Sequence, residues 1–273
     1  MPDTHVPQCP SRPLLWVATG RQRVGKTALL NAAVQYFRAG GSEIAVWNAD
    51  EQNRTHSLST FFPDAEVPPS GGLADTRAWI EERLAHQAAG GYHAVLDAGG
   101  GFTGFSSLLD DVPVVEALGA QGVNVVGLFV VGPEQADLDY LQHFADSGKF
   151  LPKASAIVFN GGLVLSGRSP NAAFAPVMAS KAVQQGMVRG ARAVQMPALT
   201  CMAAVTDRGL TFADAAEGRV KPGQAPMSMF DPIRVREWWM KKVPAFFDQF
   251  PREWLPLPMP HAAERLSAQR EPA

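Results

Sequence analysis

Apolar stretches of strand length recur along the chain without the in-out alternation of a half-exposed sheet: LLWVAT at 14–19, EIAVW at 43–47, YHAVLD at 92–97, VNVVGLFVVG at 123–132 and ASAIVFN at 154–160. A shorter one, RAVQMP, follows at 192–197. Continuous apolar runs of this kind belong to strands buried on both faces. Segments of helical period separate them. KTALLNAAVQYFRA is closed by Gly40 and Gly41, and DTRAWIEERLAHQAA opens on Asp75 as cap, with Trp79, Ile80, Leu84 and Ala85 on one face. PEQADLDYLQHFA carries Pro133 in its first turn, and NAAFAPVMASKAVQQGMV reads as one helix. Five or six strands alternating with helices predict an α/β fold: a mostly parallel sheet with helices on both faces.

The chain has 273 residues, 46% hydrophobic and 18% charged, enough to bury a large core. One domain over 13–250 is expected, with loose ends at 1–12 and 251–273, where proline and polar residues dominate. The most apolar run, 123–132, is about half the length needed to cross a bilayer, and the N-terminus shows no basic-then-apolar leader pattern. No transmembrane segment is expected. Cys9 and Cys201 stand far apart, outside any metal or redox spacing, which fits a reducing, cytoplasmic setting. Charge is divided unevenly, with 8 Lys+Arg against 16 Asp+Glu up to residue 140 and 16 against 10 beyond it. Scattered solvated charges explain such a split, as does an anion-facing surface on the second half.

Gly20-Arg21-Gln22-Arg23-Val24-Gly25-Lys26-Thr27 fits G-x-x-x-x-G-K-[ST] between a strand and a helix. Glycines let backbone N–H groups turn inward around a polyphosphate, the helix start adds its positive end, Lys26 neutralises phosphate oxygens, and the Thr27 hydroxyl ligates Mg²⁺. A carboxylate should end a neighbouring buried strand to hold the metal's shell, and Asp97 in HAVLDAGGG is placed for that. Gly99, Gly100 and Gly101 then suit backbone lying close to a γ-phosphate. The 43–47 strand ends in Asn48, Asp50, Glu51 and Gln52, of which Asp50 is a candidate to position an attacking water; ordinary turn residues would look the same.

Together these stretches resemble the ParA/MinD class of deviant P-loop ATPases, whose loop reads roughly K-G-G-x-G-K-[ST]. The resemblance is nearest to the ParA-like ATPases encoded with plasmid conjugal-transfer and stability genes, in VLDAGGGFTGFSSLL, FVVGPEQADLDYLQHFA and MPALTCMAAVTDRGLTFADAAEG. It implies a SIMIBI-type three-layer P-loop NTPase that binds ATP and Mg²⁺ and hydrolyses slowly. It also implies a nucleotide-dependent homodimer and contact with DNA, with a transfer or partition protein, or with a membrane surface. By that resemblance the loop from Gly20 through Arg23, Val24, Gly25, Lys26, Thr27 and Ala28 holds the nucleotide. Thr27, Asp97 and Asp50 serve the metal, and Lys26 and Asp50 serve hydrolysis. Arg21 stands at the signature lysine that reaches the partner's nucleotide, and Asn160 reads adenine, with Met196 and Pro197 on the base's other side. Gln22 and Arg23 replace two glycines, and Asn48 replaces the first acid of a D-x-D pair.

The segment FDPIRVREWWMKKVPAFFDQF mixes tryptophans with Arg234, Arg236, Lys241 and Lys242, suited to a membrane interface, a partner groove or a helix docked on the sheet's covering layer. Pro244 is expected to break it. No histidine falls at ligand spacing, so no metal beyond Mg²⁺ is expected. Two other functions fit the loop: a dethiobiotin-synthetase-like ligase or small-molecule kinase, which VATGRQRVGKT and DAGGG also resemble, and a scaffold that holds ATP and barely hydrolyses it.

Overall fold

The computed structural model describes residues 12–50, 57–99 and 103–259. The expected loose start at 1–11, together with Cys9, Glu51, Gln52, Gly100 and Gly101, lies outside the described residues. In chain order the elements are Leu14–Thr19 (β1), Lys26–Ala39 (α1), Ile44–Asn48 (β2), Leu58–Phe61 (α2), Leu73–Gly90 (α3), His93–Asp97 (β3), Thr103–Asp111 (α4), Val114–Ala120 (α5) and Asn124–Val131 (β4). Then come Gln135–Ser147 (α6), Ala154–Asn160 (β5), Pro170–Met178 (α7), Lys181–Val188 (α8), Arg192–Met196 (β6), Met202–Thr206 (α9) and Phe212–Ala216 (α10). Asp231–Glu237 (α11), one π-helical turn at Trp238–Lys242 and Val243–Phe247 (α12) complete the set with short 3₁₀ turns.

All six strands are parallel, in the order β2-β3-β1-β4-β5-β6. The expected α/β architecture is what the chain adopts. From β1 the chain winds first to one side and then, through β4, to the other, so the crevice above the C-terminal end of β1 is the topological switch point. Trp16 and Ala18 of β1 face a layer made of α1 and the C-terminal helices, while Leu15 and Val17 face α3, α4 and α5. Val131, Ile157 and Phe159 meet α7 and α8. Strand side chains alternate faces, so this both-sided burial is why the runs read as continuously apolar.

Several local expectations are corrected. α3 starts two residues before Asp75, on Gly72, and Asp75 lies in its first turn. Ala85 is exposed; Gln87 takes the buried position instead, its amide bridging the Leu14 and Tyr92 carbonyls at 3.0 Å each. α6 begins after Pro133, on Glu134. The helix expected over 171–188 is two, because Ser180 caps a second start by accepting from the Val183 N–H. Pro244 does not break the terminal helix. The π turn just before it shifts the hydrogen-bond register, and Pro244 occupies an early position of α12 that needs no donor.

The tail expected to be loose from 251 packs down as far as the description reaches. Trp16 Nε1 donates to the Trp254 carbonyl at 2.7 Å, His93 Nε2 lies 2.9 Å from the Leu257 carbonyl, and Leu255 and Leu257 rest on the core. These contacts reach Leu257; residues 260–273 of the expected loose end lie outside the described residues. The open edge of β6 is closed by Gln249, whose side chain accepts from the Gln195 N–H at 2.9 Å and donates to its carbonyl at 3.2 Å.

Trp238 and Trp239 dock onto this layer: Trp238 is 1% exposed, and its indole N–H donates to the Pro197 carbonyl at 2.9 Å. Trp238→Ala would leave a cavity and an unpaired carbonyl, and about 3–5 kcal/mol of stability should be lost. Urea midpoints of the two proteins measure the difference; a shift worth less than about 1 kcal/mol would mean that this docking contributes little.

Candidate functional site

The six residues between β1 and α1 form a tight loop shaped by its glycines. At Gly20, φ is 148°, and a Cβ there would lie 2.4 Å from the Val130 carbonyl oxygen. At Gly25, the N-cap of α1, φ is 97°, and a Cβ would lie 2.3 Å from Asn160 Nδ2. Only glycine fits either place. Arg23 sits at φ 63°, left-handed backbone that glycine adopts more easily, so the loop keeps a glycine-like path at a cost of about 1 kcal/mol.

Lys26 opens α1 and is 5% exposed. Its Nζ donates to the Gly20 and Arg21 carbonyls, both at 3.0 Å, so the ammonium is folded into the loop's own ring. Burial lowers its pKa, and the neighbouring Asp97 and Asp50 carboxylates work against that. Thr27 follows on the helix, and its Oγ1 donates to Asp97 Oδ2 at 2.6 Å. The β1–β3 register, which pairs Ala18 with Asp97, puts that carboxylate under the helix start.

Asp97 is fully buried. Desolvation raises its pKa and Asp50 adds to the rise, whereas the Thr27 hydroxyl, Lys26 and the Gly99 N–H pull it down. Asp50 is drawn beside it because β2 lies next to β3, and the Asp50 carboxyl carbon is 3.2 Å from where a Cβ on Gly99 would stand. Asn48, at the position of the missing acid, has a structural job: its Nδ2 donates to Ser59 Oγ at 2.9 Å, and its Oδ1 accepts from the Asp50 N–H at 3.2 Å.

On the other side of the loop, Asn160 ends β5 and packs against Gly25. Its Nδ2 donates to the Val24 carbonyl at 2.8 Å, and its Oδ1 accepts from the Gly162 N–H at 2.9 Å. The side chain thus braces the 20–27 loop, and its second Nδ2 hydrogen has no acceptor among the described residues. Met196 is aligned with Asn160 in the β5–β6 pair, and Pro197 follows half-buried, its carbonyl held by Trp238. Val24 is buried, and Ala28 is partly exposed on the first turn of α1.

Arg21 is engaged within its own chain. Its Nη2 donates to Glu134 Oε2 at 2.6 Å, and its Nε lies 3.0 Å from Asp137 Oδ1, an ion pair too bent to be a hydrogen bond. Glu134 is exposed, but the Asp137 side chain is only 4% exposed. Burial raises the Asp137 pKa, and Arg21 counters the rise. The motif alone carried no signal for these two acids, because the partner helix lies more than a hundred residues downstream.

Thr27, Asp97 and Asp50 form an all-oxygen set suited to a hard divalent cation, and the mutual repulsion of the Asp50 and Asp97 carboxylates favours a bound positive charge. The site joins the loop amides, a buried ammonium and this oxygen set at the C-terminal ends of β1, β2 and β3.

Two predictions follow from these charges. The folded pKa of Asp97 lies above its unfolded value, so its stabilising contribution is complete at acid pH and is lost as pH rises through the folded value. Asp97→Asn has no such titration. In melts without nucleotide, the variant should gain on the parent as pH rises from about 4, by up to about 1.4 kcal/mol per pH unit over the window; parallel profiles would refute the assignment. Arg21→Ala should cost about 1 kcal/mol by stranding Asp137, and adding Asp137→Asn should recover most of the loss in urea titrations. Additive losses would mean that the two groups are uncoupled.

No protein-family model matches the chain, and no curated protein does. Among solved structures it is similar to the cell division protein FtsY of Thermotoga maritima, with 14% identity, 85% of this chain and 70% of that one covered, and a TM-score of 0.47. It is also similar to the signal recognition particle 54 kDa protein of Aeropyrum pernix K1, solved with GDP, with 15% identity, 89% and 50% covered, and a TM-score of 0.39. FtsY of Elizabethkingia anophelis, also with GDP, gives 12%, 87% and 66%, and 0.39. The chain thus spans between half and 70% of the length of these structures. Likeness at this distance concerns the path of the backbone and carries no conclusion about nucleotide or partner.

Proposed function

We propose that this protein binds Mg²⁺–ATP at the 20–27 loop and acts as a slow ParA/MinD-like nucleotide switch in plasmid conjugal transfer, partition or stability. One observation carries the reading: Lys26, Thr27, Asp97 and Asp50, scattered over the sequence, converge around a glycine-shaped loop at the switch point of the sheet. On binding, Lys26 exchanges the Gly20 and Arg21 carbonyls for phosphate oxygens, and the loop amides and the start of α1 receive the rest of the phosphate charge. Thr27, Asp97 and Asp50 would hold magnesium, which supplies neutralisation of phosphate charge. Asp50, whose charge acts on both Asp97 and Lys26, would orient a water for attack.

Adenine is favoured over guanine. Guanine offers two adjacent donors, N1–H and its amine, which a carboxylate matches. The chain carries no Asp or Glu anywhere from 161 to 206, the stretch that follows Asn160 and includes Pro197. The remaining Asn160 Nδ2 hydrogen suits an acceptor nitrogen of adenine. The same stretch holds Arg168, Lys181, Arg189 and Arg192, all exposed, which supports an anionic partner such as DNA. The intrachain pairing of Arg21 with Glu134 and Asp137 favours the slow end of hydrolysis, since a homodimer would first have to free that side chain to reach across to a partner's nucleotide.

Calorimetry with ATP and GTP in magnesium tests the reading. ATP should bind at least about tenfold more tightly than GTP, and Lys26→Ala should weaken ATP about 10- to 100-fold, the loss of one charge-assisted contact. Equal affinity for GTP would sink the base assignment, and an indifferent Lys26→Ala that remains folded by circular dichroism would sink the site.

A further inference from the structure

The opposite end of the sheet, where the strands begin, carries a separate cavity of about 630 Å3. Its floor is aromatic: Tyr36 and Phe247 stack at 4.7 Å, and Trp239 meets Tyr36 edge-on at 6.2 Å. Its outer wall is the 252–258 segment, latched to the sheet by the Trp16 and His93 contacts described above. A cavity of this size suits a small organic molecule.

Three polar features set the chemistry. Ser42 lines the cavity at 3% exposure, and its hydroxyl has no hydrogen-bond partner among the described residues. Asp248 and Arg252 both stand exposed at the rim, with no ion-pair partner among the described residues. α1 ends beside them at Ala39, so the partial negative charge of its carbonyl end adds to Asp248. The Tyr36 hydroxyl senses the same field, its pKa raised by burial and then by Asp248. The rim therefore carries one acidic and one basic side chain above an apolar floor.

We propose that this cavity is a second ligand site, taking a zwitterionic molecule of amino-acid to dipeptide size with an apolar body. Its ammonium group faces Asp248 and the end of α1, its carboxylate faces Arg252, and its ring or branched chain lies on the Tyr36, Trp239 and Phe247 surface. Ser42 offers its hydroxyl to whatever polar group reaches the floor. The cavity shares no residue with the 20–27 loop.

Calorimetry on the full chain with L-phenylalanine and with L-phenylalanyl-L-leucine tests this. Saturable binding of at least one is expected, weakened about three- to fivefold by Asp248→Asn and by Arg252→Gln, neither of which should move the melting temperature. Phenethylamine, which has no carboxylate, should respond to Asp248→Asn alone. Ala39→Trp, a change at an exposed rim position, should fill the cavity and abolish binding. The proposal is overturned by no saturable heat at millimolar probe, by binding that ignores both charge substitutions, or by binding seen only in a chain shortened to residue 259.

Discussion

The hydrogen bond from the Thr27 hydroxyl to the buried Asp97 carboxylate is the contact on which the rest of the 20–27 loop's end of the sheet depends. It joins the first turn of α1 to the end of β3 across β1, and it exists because β1 and β3 are neighbours in a register that aligns Ala18 with Asp97. A carboxylate with no exposure is costly, and this one has Lys26 and Asp50 close by. Thr27, Lys26 and the Gly99 N–H offset part of that cost. The remainder means that added positive charge beside Asp97 would be favourable.

The layer on the α1 side is built around aromatic contacts. Trp16 of β1 packs on Phe37 of α1 at 5.8 Å and on Phe250 at 5.7 Å, and Phe212 meets both Trp238 and Trp239. α1 is thereby sandwiched between the sheet and the C-terminal helices, with its phosphate-loop residues at one end and the aromatic cavity at the other. Polar contacts hold the register of this layer: Gln35 accepts from the Phe212 N–H at 2.7 Å, and Trp238 fixes the backbone at Pro197. A layer attached by such specific contacts positions α1 more sharply than apolar packing alone would.

The departures from the resembled loop also take physical form. Arg23 keeps the left-handed backbone that glycine would adopt, and Arg21 is drawn aside by two acids at the start of α6, so neither residue is a neutral replacement. Asn48 replaces an acid and ties the exit of β2 to α2, which shapes the backbone leading into Asp50.

The sequence by itself determined the class of fold and the heart of the candidate site. Both-face burial leaves uninterrupted apolar runs, and the loop's chemistry depends on residue types at fixed spacing, so Gly20, Gly25, Lys26, Thr27 and Asp97 could be read directly. Helices α4 and α5 and the packed segment 251–259 gave no clear local signal, the first being short and the last being proline-rich chain held by side chains of distant strands. Only the tertiary structure decided which partners meet: Arg21 with Glu134 and Asp137, Asn160 with Val24, Trp238 with Pro197. Such pairings join residues separated by tens to more than a hundred positions, and strand order and register, which periodicity does not encode, set them.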